Sequence, residues 1–586
     1  MTETTQVLTQ AIPSNWTHLD TLVVLGYLAV TTLIGALLSG KQHSIRDFFL
    51  GGRRLPWWAV SASIISTEIS AVTFVSLPAL VARDGGNFTY LQIGLLGYLL
   101  ARITVAVFFI PLYYKQEIYS PYDFLGQRLG NPARIAATIL FSISGLLAQG
   151  ARLYLTALIL EVIMGPQLAA WAAPLGMDAI TLAIWIIGII SIGWTLIGGV
   201  NTVIWTDVIL VAVFLTGALV ALFVISTGLP GGPLQVLETG QAAGKFQLWN
   251  SSLDFTNPFT VLSAVVAGFV VGLAAFGLDQ MMIQRAFCCR NINSARLAII
   301  SSHVGIIVPI LVMLVGVGLW AHYQQYPMTG AVKAAYDQKQ DRIFPLFILT
   351  EMPTGIVGLL MAAIFAAAIN GSILTALAQT TIAIAEKPLR QLLRHNADLD
   401  EPTRLKQAVT VSRWLVAVWG LALCAVGMLV REIADANPTA AFLNIALEMS
   451  TYCMGALLGG FFLALMGKRI DGTGFLFAAP LAVVTVFALR WHDNWAITAT
   501  ILAAALLLTL WLIYNLTRPV DGAKFLLKTI ALSLGTGLPV LLSIYAITET
   551  NKVLAWPWYT TVGTLVTVVL GYLLSSPPLT PANTPR

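Results

Sequence analysis

Apolar residues gather along the chain in runs separated by short polar stretches. A run of about 20 apolar residues crosses the hydrocarbon core of a bilayer as a helix. About 15 runs meet that test. They lie near 19–39, 57–80, 88–113, 134–163, 178–199, 203–227, 258–279, 297–320, 355–385, 409–430, 438–466, 472–489, 496–515, 526–547 and 557–574. Each predicts a transmembrane helix, because a helix satisfies its own backbone polar groups where water is absent. The expected fold is an all-α integral membrane protein of about 13–15 transmembrane helices. The longest stretches between runs, 228–257, 321–344 and 387–404, are too short for a separate soluble domain.

Loop charge tests this division. Lys and Arg favour the cytoplasmic side. With the N-terminus outside, the inner loops collect about 20 of them, Lys41, Arg53, Arg54, Arg128 and Arg134 among them. The outer loops collect about eight, including Arg83, Lys245, Lys339 and Arg342. One misplaced span would invert every later loop and erase the bias, so the count supports both the spans and an outside N-terminus.

Composition agrees. Of 586 residues, 57% are hydrophobic and 10% charged, against about 25% charged in a soluble domain. The net charge of +5 offers no concentrated basic face for nucleic acid. Cys288, Cys289, Cys424 and Cys453 lack zinc-ligand spacing. The first 18 residues lack the basic start of a signal peptide, so the 19–39 run is expected to persist as a helix behind an outer tail, 1–18. No HExxH, GxSxG, Walker or dinucleotide motif occurs, and the histidines are scattered. The expectation is no enzyme, no catalytic residue and no organic cofactor, with a lipid bilayer and a small solute as partners. A compact chain of this kind suits a plasma membrane, the bacterial inner membrane in particular.

A charge near mid-membrane costs about 2.5–3.5 kcal/mol on insertion scales. Glu68, Arg102, Arg152, Glu161, Asp207 and Asp279 therefore each need a reason. Glu161 lies close to a helix end, and Asp279 heads a polar group with Gln280, Gln284 and Arg285; both read as packing or end networks. Arg102 is open between packing and function. Glu68, Arg152 and Asp207 lie deeper and read as functional. Glu68 sits in a polar patch, Ser66-Thr67-Glu68-Ile69-Ser70-Ala71-Val72-Thr73, followed by Pro78. Such a patch suits a helix that unwinds at mid-membrane and offers freed carbonyls to a hard cation. The segment one repeat later, 258–279, carries Gly268, Gly272 and Gly277. A third patch, Ala366 to Thr375, places Ser372 and Thr375 three apart, on one helix face.

With these residues in place, the chain resembles the sodium:solute symporter family, which includes glucose, proline, iodide, monocarboxylate, pantothenate and sialic acid transporters. The resemblance runs from about residue 19 to about 466. It is carried by Asp47-Phe48-Phe49-Leu50-Gly51-Gly52-Arg53-Arg54-Leu55-Pro56, by Gly198-Gly199 before Trp205-Thr206-Asp207, by Asp279-Gln280 with Gln284-Arg285, and by Gly455-Ala456-Leu457-Leu458-Gly459-Gly460-Phe461. It implies a LeuT-like fold of two inverted five-helix repeats, here 57–227 and 258–466. The extra helix 19–39 would precede them, accessory helices at 472–575 follow, and a tail, 576–586, closes the chain.

The resemblance also implies sodium ligands. Backbone oxygens of Ser66, Ile69 and Ala368 with the hydroxyl of Ser372 form the main site, and Asp207 with Thr375 a second ion site. Gly371 and Leu374 depart from the family by lacking hydroxyls there. The substrate candidates are Glu68, Ser70, Thr73, Tyr98 and Arg152. Ala275 stands where the sugar branch stacks its substrate on a tyrosine, which argues against a sugar. Arg152 lies in the helix that lines the family's substrate cavity, and arginine grips carboxylates bidentately. The expected function is sodium-coupled symport of a small organic solute, a carboxylate or zwitterion, by alternating access. The alternatives are proton coupling through Glu68 or Asp207 and a non-transporting membrane solute sensor.

Overall fold

The computed structural model describes residues 15–38, 51–116, 118, 120–197, 200–369, 373–374, 376–378, 380–381, 401–436, 442–467, 470, 472–490 and 554–575. Among them the secondary structure is helical, apart from one isolated bridge between Leu55 and Cys289. Among the described residues, eight helices are long and apolar enough to cross a membrane, two bent pairs pass together, and three shorter apolar helices accompany them. Together they coincide with thirteen of the runs read from the sequence. The remaining two, 496–515 and 526–547, lie outside the described residues.

The leading helix is α1 (His18–Leu38). A broken span follows, α2 (Trp57–Glu68) and α3 (Ala71–Ala82), bent by 54°. Next come α4 (Ile93–Lys115), the short α5 (Pro121–Leu129), α6 (Asn131–Ala172), α7 (Ala179–Ile197), α8 (Val200–Gly228) and the loop helix α9 (Gly232–Ala242). A second break separates α10 (Ser263–Gly277) from α11 (Gln280–Phe287). Then follow α12 (Ile292–Gln325), the loop helices α13 (Gly330–Gln338) and α14 (Ile343–Glu351), α15 (Ile356–Ile369), α16 (Glu401–Ala436), α17 (Phe442–Thr451), α18 (Met454–Leu465), α19 (Gly472–Arg490) and α20 (Pro557–Leu574).

Two elements differ from the apolar runs. The run at 438–466 is divided, with α17 ending at Thr451 and α18 starting at Met454. The helix expected to end near 163 continues to Ala172 past a non-helical Met164, with Pro166 in its extension. Pro166 lacks an N–H to keep the α-ladder intact, which accounts for the kink beside it.

The chain packs as two compact units. The first holds Met1–Leu95, Gly145–Asn250 and Gln284–Leu447, and the second Leu96–Ser144, Ser251–Ile283 and Glu448–Arg586. In the first unit α3 packs on α12, and α8 packs on α1, α2, α12 and α15. Gly316 of α12 lies so close to α3 that a Cβ there would stand 2.6 Å from the Pro78 carbonyl oxygen. In the second unit α18 and α19 pack on α20, and α10 packs on α4. Both α4 and α10 contain π-helical turns, at Ile93–Tyr98, Val105–Phe109 and Ser263–Gly268. Gly97 faces Ala264, whose carbonyl oxygen would lie 2.2 Å from an added Cβ, so only hydrogen fits there. Large apolar side chains such as Leu22, Phe108, Ile189, Phe223 and Trp414 are exposed. Lipid, not water, is the solvent such a surface suits.

Candidate functional site

The first break is built by three residues. Glu68 ends α2, Ile69 takes an extended conformation (φ −80°, ψ 116°), and Ser70 (φ −127°, ψ 178°) caps α3. A helix end leaves its last carbonyls without intrahelical donors. The Ile69 N–H still reaches the Ile65 carbonyl, 2.9 Å away. The Ser70 N–H does not continue the ladder to Ser66 but turns to Thr73 Oγ1, 3.5 Å away, in a capping box. Arg152 of α6 donates to the Thr67 carbonyl at 3.0 Å. A guanidinium thus sits at the negative end of the α2 dipole.

Exposure singles out the polar groups at this break. Among the described side chains from Ser63 to Ala79, Glu68 and Thr73 are the ones not buried. From Gly150 to Leu160 that holds for Arg152 alone. A carboxylate, a hydroxyl and a guanidinium are therefore accessible at the break, in helices otherwise buried along these stretches. Ser70 is buried and serves as the cap of α3.

Asp207 of α8 lies one turn below, towards the start of α2. Its side chain is 1% exposed and that of Arg285 2%. Asp207 Oδ1 accepts from Ser66 Oγ at 2.9 Å, and Oδ2 accepts from Ser63 Oγ at 2.5 Å and from Arg285 at 3.2 Å. Ser63 Oγ also accepts from Arg285 Nε at 2.7 Å. Every strong polar atom in this cluster has a partner, as a buried ion pair requires. The pair joins α2, α8 and α11. A backbone bond from the Leu55 N–H to the Cys288 carbonyl, 3.2 Å, ties the approach to α2 to the end of α11. The sequence groups Arg285 with Asp279 in a local end network; its bond to Asp207 is a long-range contact beyond that grouping.

The second break lies in the other unit and is closed differently. Tyr113 Oη donates to the Gly277 carbonyl at 2.7 Å, and Tyr122 Oη to the Leu278 carbonyl at 2.9 Å. Asp279 accepts from the Met281 N–H at 2.8 Å and so caps α11. Tyr98 belongs to this unit, edge-on to Phe276 with centroids 5.5 Å apart. Arg102 is buried with its guanidinium carbon 3.9 Å from the Phe276 centroid. That cation–π contact accounts for its presence in a span.

On the outer side, loops of the first unit hold the end of α3. Lys245 is 1% exposed, donates to the Val81 and Arg83 carbonyls, and lies 3.9 Å from the Trp320 ring centroid. Burial pushes its pKa down to about 8, against the pull of Asp84. Arg83 meets Asp341 at 3.5 Å, and Arg342 meets Glu161 at 2.8 Å. Of the remaining expected ligands, Ala368 lies in α15, while Gly371, Ser372 and Thr375 fall outside the described residues.

A bundle of apolar helices long enough to cross a membrane, two of them interrupted and one with polar groups accessible at its break, is the architecture of a secondary transporter. The model of the sodium:solute symporter family matches residues 48–482, and the chain belongs to that family. It is 29% identical over 482 residues to the sodium/sialic acid symporter SiaT of Proteus mirabilis (strain HI4320), covering 80% of this chain and 89% of that protein. It is 28% identical over 564 residues to the human sodium/iodide cotransporter, covering 94% and 82%. The human sodium-coupled monocarboxylate transporter 2 is 25% identical over 546 residues, covering 92% and 80%. A solved structure of a sodium-coupled sialic acid symporter, substrate-bound and outward-open, shares the fold with a TM-score of 0.68. Its identity is 24%, over 95% of this chain and 97% of that one.

Proposed function

We propose that this chain is a sodium-coupled symporter of a small organic anion. The observation that carries the reading is Arg152, a partly exposed cation held at the α2–α3 break by the Thr67 carbonyl. A carboxylate arriving there meets a planar guanidinium suited to bidentate contact and the positive N-terminal end of α3. The three relatives named above carry sialic acid, iodide and monocarboxylates in their names, all anions. Sodium takes oxygen ligands, and the Ser66 and Ile69 carbonyls at the break, with Ala368 and Ser372, are the set proposed for it. Glu68 keeps the lining negative and so favours a cation next to the anion. Ser70 and Thr73 fix the start of α3.

The test is uptake into proteoliposomes, with a panel of monocarboxylates, sialic acid and iodide, under an inward sodium gradient against equal potassium. Sodium-driven accumulation of an anion that Arg152→Ala abolishes supports the reading. Accumulation indifferent to sodium, or unchanged in Arg152→Ala, refutes it.

A further inference from the structure

A groove of about 510 Å³ opens in the second unit where α10, α18 and α20 meet. Val270 forms one wall, Phe462 and Leu465 a second, and Leu565 and Val568 the third. Gly455 packs against Gly563 and Gly459 against Thr567, so α18 and α20 run side by side in one direction. On that register Thr561 lies at one end of the groove and Met466 at the other. The slot thus falls about 20 Å along the helices, comparable to the roughly 15 Å depth of one leaflet. Its rim is continuous with the lipid-facing surface, where Leu465 and Leu565 are 47% and 59% exposed. Left empty, such a slot would forfeit dispersion contacts along its walls, and apolar walls offer water no partners. The Thr561 end is the polar one. It lies about one turn inside the Trp556–Trp558 start of α20, and tryptophans collect at the membrane–water interface. Thr564 and Thr567 close their hydroxyls on the Thr560 and Gly563 carbonyls, at 2.7 and 2.8 Å. Thr561 Oγ1, shielded from water, has no partner among the described residues.

We propose that this groove is a lipid site that takes one acyl chain of a phospholipid, with the glycerol ester at the Thr561 end and the methyl end toward Met466. Hydrocarbon chains are the solvent at this depth, and an ester carbonyl supplies the acceptor that the Thr561 hydroxyl lacks. The inference is independent of the solute carried and of the coupling ion. Val270 stands about two turns before the break at Gly277. A tail lodged in the groove therefore packs α10 against α18 and α20, and steadies the helix that leads to that break.

The experiment places the full-length protein in nanodiscs of phosphatidylethanolamine doped with the same lipid carrying a diazirine in one acyl chain, and maps the cross-linked residues after illumination. A diazirine near the ester is expected to label the stretch from Thr561 to Leu565, and one near the methyl end that from Phe462 to Met466. Leu565→Trp fills the slot and is expected to cut this labelling on the order of tenfold, because a close-packed space does not hold both the larger side chain and the tail. Val569→Trp, on the neighbouring exposed face, is expected to leave it unchanged. Label spread evenly over the lipid-facing helices, label in the reverse order, or labelling undiminished in a folded Leu565→Trp protein overturns the proposal. So does an absence of label from the groove, the outcome if a second copy or another segment of the chain covers it. If Leu565→Trp does not fold, the wild-type map decides: label concentrated at the two ends in the expected order supports the site, and an even spread overturns it.

Discussion

The two tyrosine hydroxyls at the second break can be removed without moving anything else. Tyr113→Phe and Tyr122→Phe keep the rings, so no cavity opens. What is lost includes the donation of 2.7 Å to the Gly277 carbonyl and that of 2.9 Å to the Leu278 carbonyl, with the bond between Tyr122 and the Gln280 backbone. Both tyrosines are buried, and water has no easy route to replace them. A buried acceptor left unpaired costs about 1–3 kcal/mol. Each variant should therefore lose a factor of roughly 5–150 in its folded-to-unfolded ratio. Melting in detergent should fall by about 1–2.5 °C for each, because the unfolding entropy grows with the length of the chain. The carbonyls are neighbours in the chain, so the double variant should depart from additivity. If the cost is borne only in the conformer that makes these bonds, sodium-driven uptake will change as well, because the equilibrium between conformers shifts by the same energy. Two single variants that melt with wild type and transport as wild type would show that these hydroxyls do not hold the break.

Three further outcomes each rest on a single local contact. Lys245 loses its proton near pH 8 when folded but above pH 10 when unfolded; the unfolded chain therefore binds more protons between those values, and stability should rise with pH across that window by on the order of 3 kcal/mol. Lys245→Met should remove that rise in a melting-against-pH series. Asp20→Ala strips the acceptor from the Gly355 and Gly358 N–H groups, each 2.7 Å away, and should cost about 2 kcal/mol, read as a lower melting temperature that Asp20→Asn partly restores. Gly316→Ala drives a methyl into the Pro78 carbonyl and should destabilise by about 1–3 kcal/mol, whereas a neutral melt would mean that α3 and α12 separate at no cost.

The spans were legible because length and apolarity alone decide them, and the break at Ile69 and Ser70 because hydroxyls, a carboxylate and a proline crowd an apolar run. The partner of Asp207 was not. Arg285 lies 78 residues away, and its neighbours Asp279, Gln280 and Gln284 offered a local explanation for its charge. Only the tertiary fold brings the two together. The division between α17 and α18 was hidden for a different reason: Thr451, Tyr452 and Cys453 contain neither proline nor glycine, so nothing local announces the interruption. Tyr113 and Tyr122 read as ordinary buried aromatics because a hydroxyl's acceptor is set by tertiary contact. Lys245 counted simply as an outer charge, although it caps α3 from within the protein.

The wide turns of α4 carry a consequence for how this chain can vary in length. A π turn holds one residue more than an α turn closing the same stretch of axis. Deleting one residue within Ile93–Tyr98 would let that stretch close as ordinary α-helix, with no bond lost. Everything after it would keep nearly its present facing, Arg102 still over the Phe276 ring, because the residue removed is the one the wide turn had absorbed. A single-codon deletion is thus absorbed at a wide turn, whereas the same deletion in a regular α-helical stretch would turn every downstream face by about 100°.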